Sequence, residues 1–203
     1  MKKGIKRIFL CLMIAALLWC GSLISDRRRL DACLIRFHVV ANSDSETDQK
    51  IKLQVRDAVL ESLQLGLSQI TDVAAAKDYL KANLPKIQKT AEDTLSRAGV
   101  DSRAVVSLCL EAFDARQYDT FALPAGVYES LRIVIGEGKG HNWWCVTFPA
   151  LCVPDSEEAF VSAAVGAGFS EALGKTLTGE EPYEVRFYLL DKLGQLENIF
   201  FAG

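Results

Sequence analysis

The sequence predicts an α+β fold: a mostly antiparallel sheet with about three helices packed on one face, behind an N-terminal apolar segment. Three observations carry this. Helix-period patterns fill residues 46–99, strand-like runs at 103–112, 127–135 and 143–148 follow them, and the two kinds of element are segregated along the chain. With 203 residues, half of them hydrophobic and a quarter charged, the chain is long enough for one domain with a full core.

Lys2, Lys3, Lys6 and Arg7 precede an uncharged apolar run over residues 8–24. This is the pattern of a signal peptide or a single membrane anchor. Positive charge stays on the cytoplasmic side, which sends the body across the membrane, although Arg27, Arg28 and Arg29 on the far flank pull the other way. No A-x-A cleavage box is evident, so cleaved and anchored forms both stand. We divide the chain into a signal or anchor segment, 1–29, and one extracytoplasmic domain, 30–203. Seven of the 23 basic residues and one of the 26 acidic residues lie in the first 30, leaving 16 against 25, a net of −9. That acidic body excludes nucleic acid as a partner.

Residues 33–40 read as a strand, and Asn42-Ser43-Asp44-Ser45 breaks it. Ser45 with Asp48 makes an approximate capping box for a helix to about Leu63, with Ile51, Val55, Val59 and Leu63 on one stripe. Thr71-Asp72 caps a second helix to about Leu84. Pro85 suits the first turn of a third, with Ile87, Ala91 and Leu95 as its stripe and Gly99 as its end. Residues 103–112 are apolar on both faces, as a central strand is. Residues 127–135 form a further strand after the Leu123–Gly126 turn, and residues 155–182 read as a helical insertion or linker. Val185 to Leu190, VRFYLL, reads as a last strand.

The most distinctive stretch is 136–152, GEGKGHNWWCVTFPALC. Gly136, Gly138 and Gly140 allow backbone shapes that side chains forbid, and Trp143 and Trp144 must be packed. Gly-rich with one lysine, it still lacks the G-x-x-x-x-G-K-S/T order of a phosphate loop. The reading that fits is a shaped loop that displays Lys139, His141, Asn142, Trp143 and Trp144 to a protein partner. His38 and Asn42, in the other distinctive block, join that surface.

Cys145 as a nucleophile with His38 as its base, oriented by Asn42 or Asp44, is the enzymatic alternative, an exported thiol hydrolase or transferase. Apolar flanks instead favour Cys145 and Cys152 as buried structural thiols, with a disulfide between them as the second choice. Cys145, Cys152, His141 and His38 also number enough for a zinc site, but Cys-x6-Cys is an unusual hook, and no metal or cofactor is expected. Asp44, Glu46 and Asp48 suit a helix N-terminus electrostatically.

Two blocks, IRFHVVANSDSETDQKIKLQVRDAVL at 35–60 and LPAGVYESLRIVIGEGKGHNWWCVTFPALC ending at Cys152, resemble the signatures of the stage II sporulation protein R family. The resemblance spans about Leu30 to Val153. It implies secretion from the forespore into the space between two membranes. There it implies activation of a membrane-embedded aspartic protease that processes a sigma-factor precursor in the mother cell. It brings no catalytic residues.

Overall fold

A computed structural model describes residues 2–149, 156–179 and 184–202. Its elements are α1 (Lys2–Cys33), β1 (Ile35–Val40), α2 (Glu46–Leu67), α3 (Val73–Arg97), β2 (Ala104–Phe113), β3 (Arg116–Gln117) and β4 (Ala122–Leu123). They continue with β5 (Gly126–Ile135), β6 (Asn142–Phe148), α4 (Glu157–Gly166), α5 (Glu171–Thr178) and α6 (Glu184–Ala202). The fold is α+β. The main sheet runs β2-β5-β1-β6, and β3 pairs with β4 apart from it. Two of the three neighbour pairings in the main sheet are antiparallel, and β1 with β5 is parallel.

Every residue of β1 is buried, because both faces of the strand are covered. Ile35, Phe37 and Val39 face the apolar stripes of α2 and α3. The opposite face of the sheet carries a second core, in which Tyr128, Phe113 and Val146 meet Leu30 of α1, Phe160 of α4, Leu173 of α5 and Leu190 of α6. Helices therefore cover both faces, where the sequence suggested one. Ser45 caps α2 by accepting from the Asp48 N–H at 3.1 Å, and Asp72 caps α3 by accepting from the Ala75 N–H at 3.0 Å.

Three local expectations are corrected. The run at 103–112 forms not a central strand but β2, at the edge of the described sheet. Pro85 does not begin a third helix; it lies inside one continuous α3. Buried Ala76, Leu80, Ile87, Ala91 and Leu95 form one stripe across it, so packing against the sheet overrides the lost backbone hydrogen bond. Val185–Leu190 is the first part of helix α6, not a strand. A short apolar run is ambiguous by itself, and tertiary bonds decide it here. Arg186 pairs with Asp26 of α1, and Asp191 Oδ1 accepts from the Ala125 N–H at 2.9 Å. Gly194 brings α6 so close to the Ala125 carbonyl that a Cβ there would collide with it. Within the 155–182 stretch, the described residues form α4 and α5, packed into the second core through Phe160, Ala164, Leu173 and Leu177.

α1 is one unbroken helix. Its N-terminal part is exposed and apolar, and it is the one helix among the described residues long and apolar enough to cross a membrane. From Leu23 onward it belongs to the body. The Arg27 guanidinium is buried and donates to the Ala125 carbonyl at 2.6 Å, the Tyr128 hydroxyl at 3.2 Å and Glu197 at 2.8 Å. It also pairs with Asp31 at 2.7 Å. Arg27→Ala strands two carboxylates around an empty cation site and is expected to cost about 3 kcal/mol. Urea denaturation reads this as a lower midpoint at unchanged slope.

Candidate functional site

The two distinctive sequence blocks meet at one end of the sheet. β1 and β5 are parallel neighbours, so the chain after each strand emerges at the same end. The 41–45 turn and the 136–141 loop therefore lie side by side. Asn42 links them with both ends of its amide: Oδ1 accepts from the Glu137 N–H at 3.0 Å, and Nδ2 donates to Asp48 at 3.0 Å. The Asn42 carbonyl accepts from the Lys139 N–H at 3.1 Å, and the Ala41 carbonyl from the Gly140 N–H at 3.0 Å. Asp44 Oδ1 accepts from the His141 N–H at 2.6 Å and lies 2.5 Å from its ring Nδ1. Lys52, buried on α2, donates to the His141 carbonyl at 3.0 Å. Ser43 donates to Asp48 at 2.6 Å.

This clasp explains the glycines. Gly136 has φ +57°, and a Cβ there would run into the Asn42 amide. A Cβ on Gly140 would collide with the Ser43 carbonyl, which is backbone and cannot swing away. Gly138, at φ +63°, lies against Val134. The glycines are needed for close approach between two loops. Asn42 is likewise a structural link, with both ends of its amide engaged.

The sheet separates the other expected residues. Trp143 lies on the α2/α3 side, edge-on to Phe37 at 5.8 Å, with the Arg56 guanidinium 4.8 Å above its ring. Trp144 lies on the opposite side, stacked on His38 at 4.6 Å with 2° between the planes. Arg116 covers the other part of that ring at 4.8 Å. His38 is buried, with Nε2 2.9 Å from Glu111, and Glu111 also pairs with Arg132 at 3.4 Å. Burial pushes the Glu111 carboxyl up, but the bond from His38 and the charges of His38 and Arg132 outweigh it and hold it below its ordinary value. Lys139 and His141 are exposed on the rim, Lys139 paired with Glu137 at 2.7 Å. Asn142 opens β6 opposite Val40.

Cys145 and His38 do not meet. Cys145 stands opposite Phe37 in the β1–β6 register, on the α2/α3 side, whereas His38 stands opposite Trp144 on the other. Cys145 is also disulfide-bonded rather than a buried thiol, so its sulfur holds no thiolate. Cys152 lies outside the described residues. The zinc reading fails on the same geometry, since Cys145 is disulfide-bonded and lies on the opposite face of the sheet from His38.

Sequence reasoning missed Glu111, Arg132 and Arg116. Glu111 left a trace as the one charged residue in the mostly apolar run 104–113. Arg132 and Arg116 become partners of the site only through the strand pairing and the fold.

The clasp carboxylates give a pH signature. Hydrogen bonds from the His141 backbone and ring hold Asp44 below the ordinary aspartate value, and bonds from Ser43 and Asn42 do the same for Asp48. Both pairings are present above the ordinary carboxyl range and are lost as pH falls through the depressed values. Exchange protection of the Glu137, Gly140 and His141 amides is therefore expected to hold at pH 6 and to drop as pH falls below about 4, with the core amides still protected. At neutral pH, Gly140→Ala is expected to lower stability by about 1–3 kcal/mol, read by thermal melting.

The sequence model of the family described as stage II sporulation protein R matches residues 31–158, from the end of α1 through β6 to the start of α4. Both blocks of the clasp lie inside that stretch. Stage II sporulation protein R of Bacillus subtilis (strain 168) is 37% identical over 121 residues, which is 60% of this chain and 54% of that protein. The matched stretch thus spans about half the length of that relative. No solved structure matches.

Proposed function

We propose that this chain, which belongs to the stage II sporulation protein R family, is an exported sporulation signal that works by protein contact. Its target in this reading is a membrane-embedded aspartic protease that processes a mother-cell sigma-factor precursor, and the chain reaches it from the space between forespore and mother-cell membranes. The contact surface is the rim of the clasp, Lys139 and His141, continued over the Trp144–Arg116 pair on the neighbouring face.

The observation that carries the reading is the clasp itself. Two remote segments are joined by backbone and side-chain hydrogen bonds, so the loop is held in place before any partner arrives. Exposed on the rim stand Lys139, paired with Glu137, and the His141 ring, against Asp44, with a half-buried tryptophan beside an arginine on the neighbouring face. The separation of Cys145 from His38 favours contact over thiol chemistry. A contact of this kind activates a protease only by binding its active state more tightly than its resting state. A shift from 1% to 99% active needs about a 10⁴-fold difference in affinity.

The test is processing of a tagged sigma-factor precursor in cells that co-express the protease and this chain. Lys139→Ala with His141→Ala, at exposed positions, is expected to leave thermal melting nearly unchanged and to reduce processing at least tenfold. Trp144→Ala is expected to reduce it further and also to loosen His38. Full processing by the double variant, exported in equal amount, would sink the contact surface proposed here.

A further inference from the structure

Among the described residues, strand β2 is an edge of the main sheet and pairs with β5 alone. Its ten residues hold one register, from Ala104 opposite Ile135 to Phe113 opposite Gly126, with no bulge. Edge strands of this length are ordinarily blunted by lysine, proline, a bulge or a covering element, because their free N–H and C=O groups template another strand. The sequence AVVSLCLEAF contains no lysine or proline, and Val105 and Leu110 stand 61% and 55% exposed.

Hydrogen bonds show which backbone groups point outward. The Arg103 carbonyl accepts from the Gly136 N–H at 2.8 Å, so odd-numbered residues turn toward β5. The Val106 N–H donates to Gln88 Oε1 at 3.0 Å, and the Ala104 carbonyl accepts from Gln88 Nε2, so even-numbered residues turn away. Within an antiparallel ladder the two groups of a residue point the same way and alternate along the strand. The Gln88 amide thus replaces a neighbouring strand at the first rung and closes it. Among the described residues, nothing bonds the Val106 carbonyl, either group of Leu108 and Leu110, or the Ala112 N–H and carbonyl.

That open set is symmetric about Cys109. A second copy of β2, laid antiparallel with Cys109 on the axis, meets all of it but the Ala112 carbonyl. The Val106 carbonyl takes the Ala112 N–H, and Leu108 and Leu110 exchange bonds in both directions. The side chains agree: Leu108 falls against Leu110 and Val106 against Ala112. On the other face Glu111 meets the Ser107 hydroxyl rather than a like charge. We propose that β2 is a self-pairing edge, joining two copies of this chain about a two-fold axis at Cys109 into one eight-stranded sheet. Gln88 sets the register. The pairing is independent of what the clasp binds.

The register predicts a cross-link. The two Cys109 residues form a non-hydrogen-bonded pair with Cα atoms about 4.5 Å apart, within disulfide range, and Cys109 is a free thiol. The full-length chain is purified in detergent with Cys11, Cys20 and Cys33 changed to Ser, which leaves Cys109 as the free thiol among the described residues. Oxidised glutathione is added. Two Cys109 thiols lose two protons and two electrons to form one S–S bond, and the oxidant becomes two reduced glutathiones. Most of the chain is expected to run at twice its mass on a non-reducing gel. Leu110→Lys, at an exposed outward rung, is expected to slow cross-linking at least tenfold without changing the melting curve. A chain that stays monomeric overturns the proposal and leaves the edge to an extended segment of another protein. Cross-linking at an unchanged rate in Leu110→Lys also overturns it, as random collision or pairing through α1.

Discussion

The structure depends on one strand that has no solvent face. β1 carries two unlike rows of side chains, Ile35, Phe37 and Val39 on one side and Arg36, His38 and Val40 on the other, and all six are buried. The first row is apolar, and α2 and α3 cover it at ordinary hydrophobic gain. The second row is polar and must be covered by groups that tolerate charge. Arg36 lies 4.1 Å over the Phe113 ring and donates to the Tyr118 hydroxyl at 2.9 Å. His38 receives Trp144 and Glu111. The second core exists because a buried guanidinium and imidazole need aromatic faces and a carboxylate around them.

The same strand explains the clasp. A parallel neighbour can be reached only by a long crossover, and α2, α3 and β2 supply it between β1 and β5. The crossover returns the chain so that the ends of β1 and β5 coincide, and the segments following both strands become one unit. Asn42 and Asp44 then replace water at backbone donors that a solitary glycine loop would leave exposed.

Much of this was legible in the chain. The α+β class, the caps at Ser45 and Asp72 and the strands at 104–113, 126–135 and 142–148 follow from local pattern. The Asn42 and Gly136–Trp144 blocks stand out by composition, but that they bind each other does not, because pairing between segments about 95 residues apart leaves no mark in either one alone. The misreadings have the same root. Pro85 and VRFYLL are locally a start and a strand, and only the stripe from Ala76 to Leu95 and the Arg186–Asp26 pair make them helical. Glu111 could be noticed as an oddity, but its role needs the β2–β5–β1 order to place it beside His38.

α1 carries a consequence of another kind. The apolar segment and the core-packed segment are one rigid rod, rising about 1.5 Å per residue, and Leu23, Arg27 and Leu30 weld that rod into the body. A copy retained by its apolar segment has no leash. Its height above the bilayer is then set by how the apolar segment seats and tilts in the membrane, not by a flexible linker.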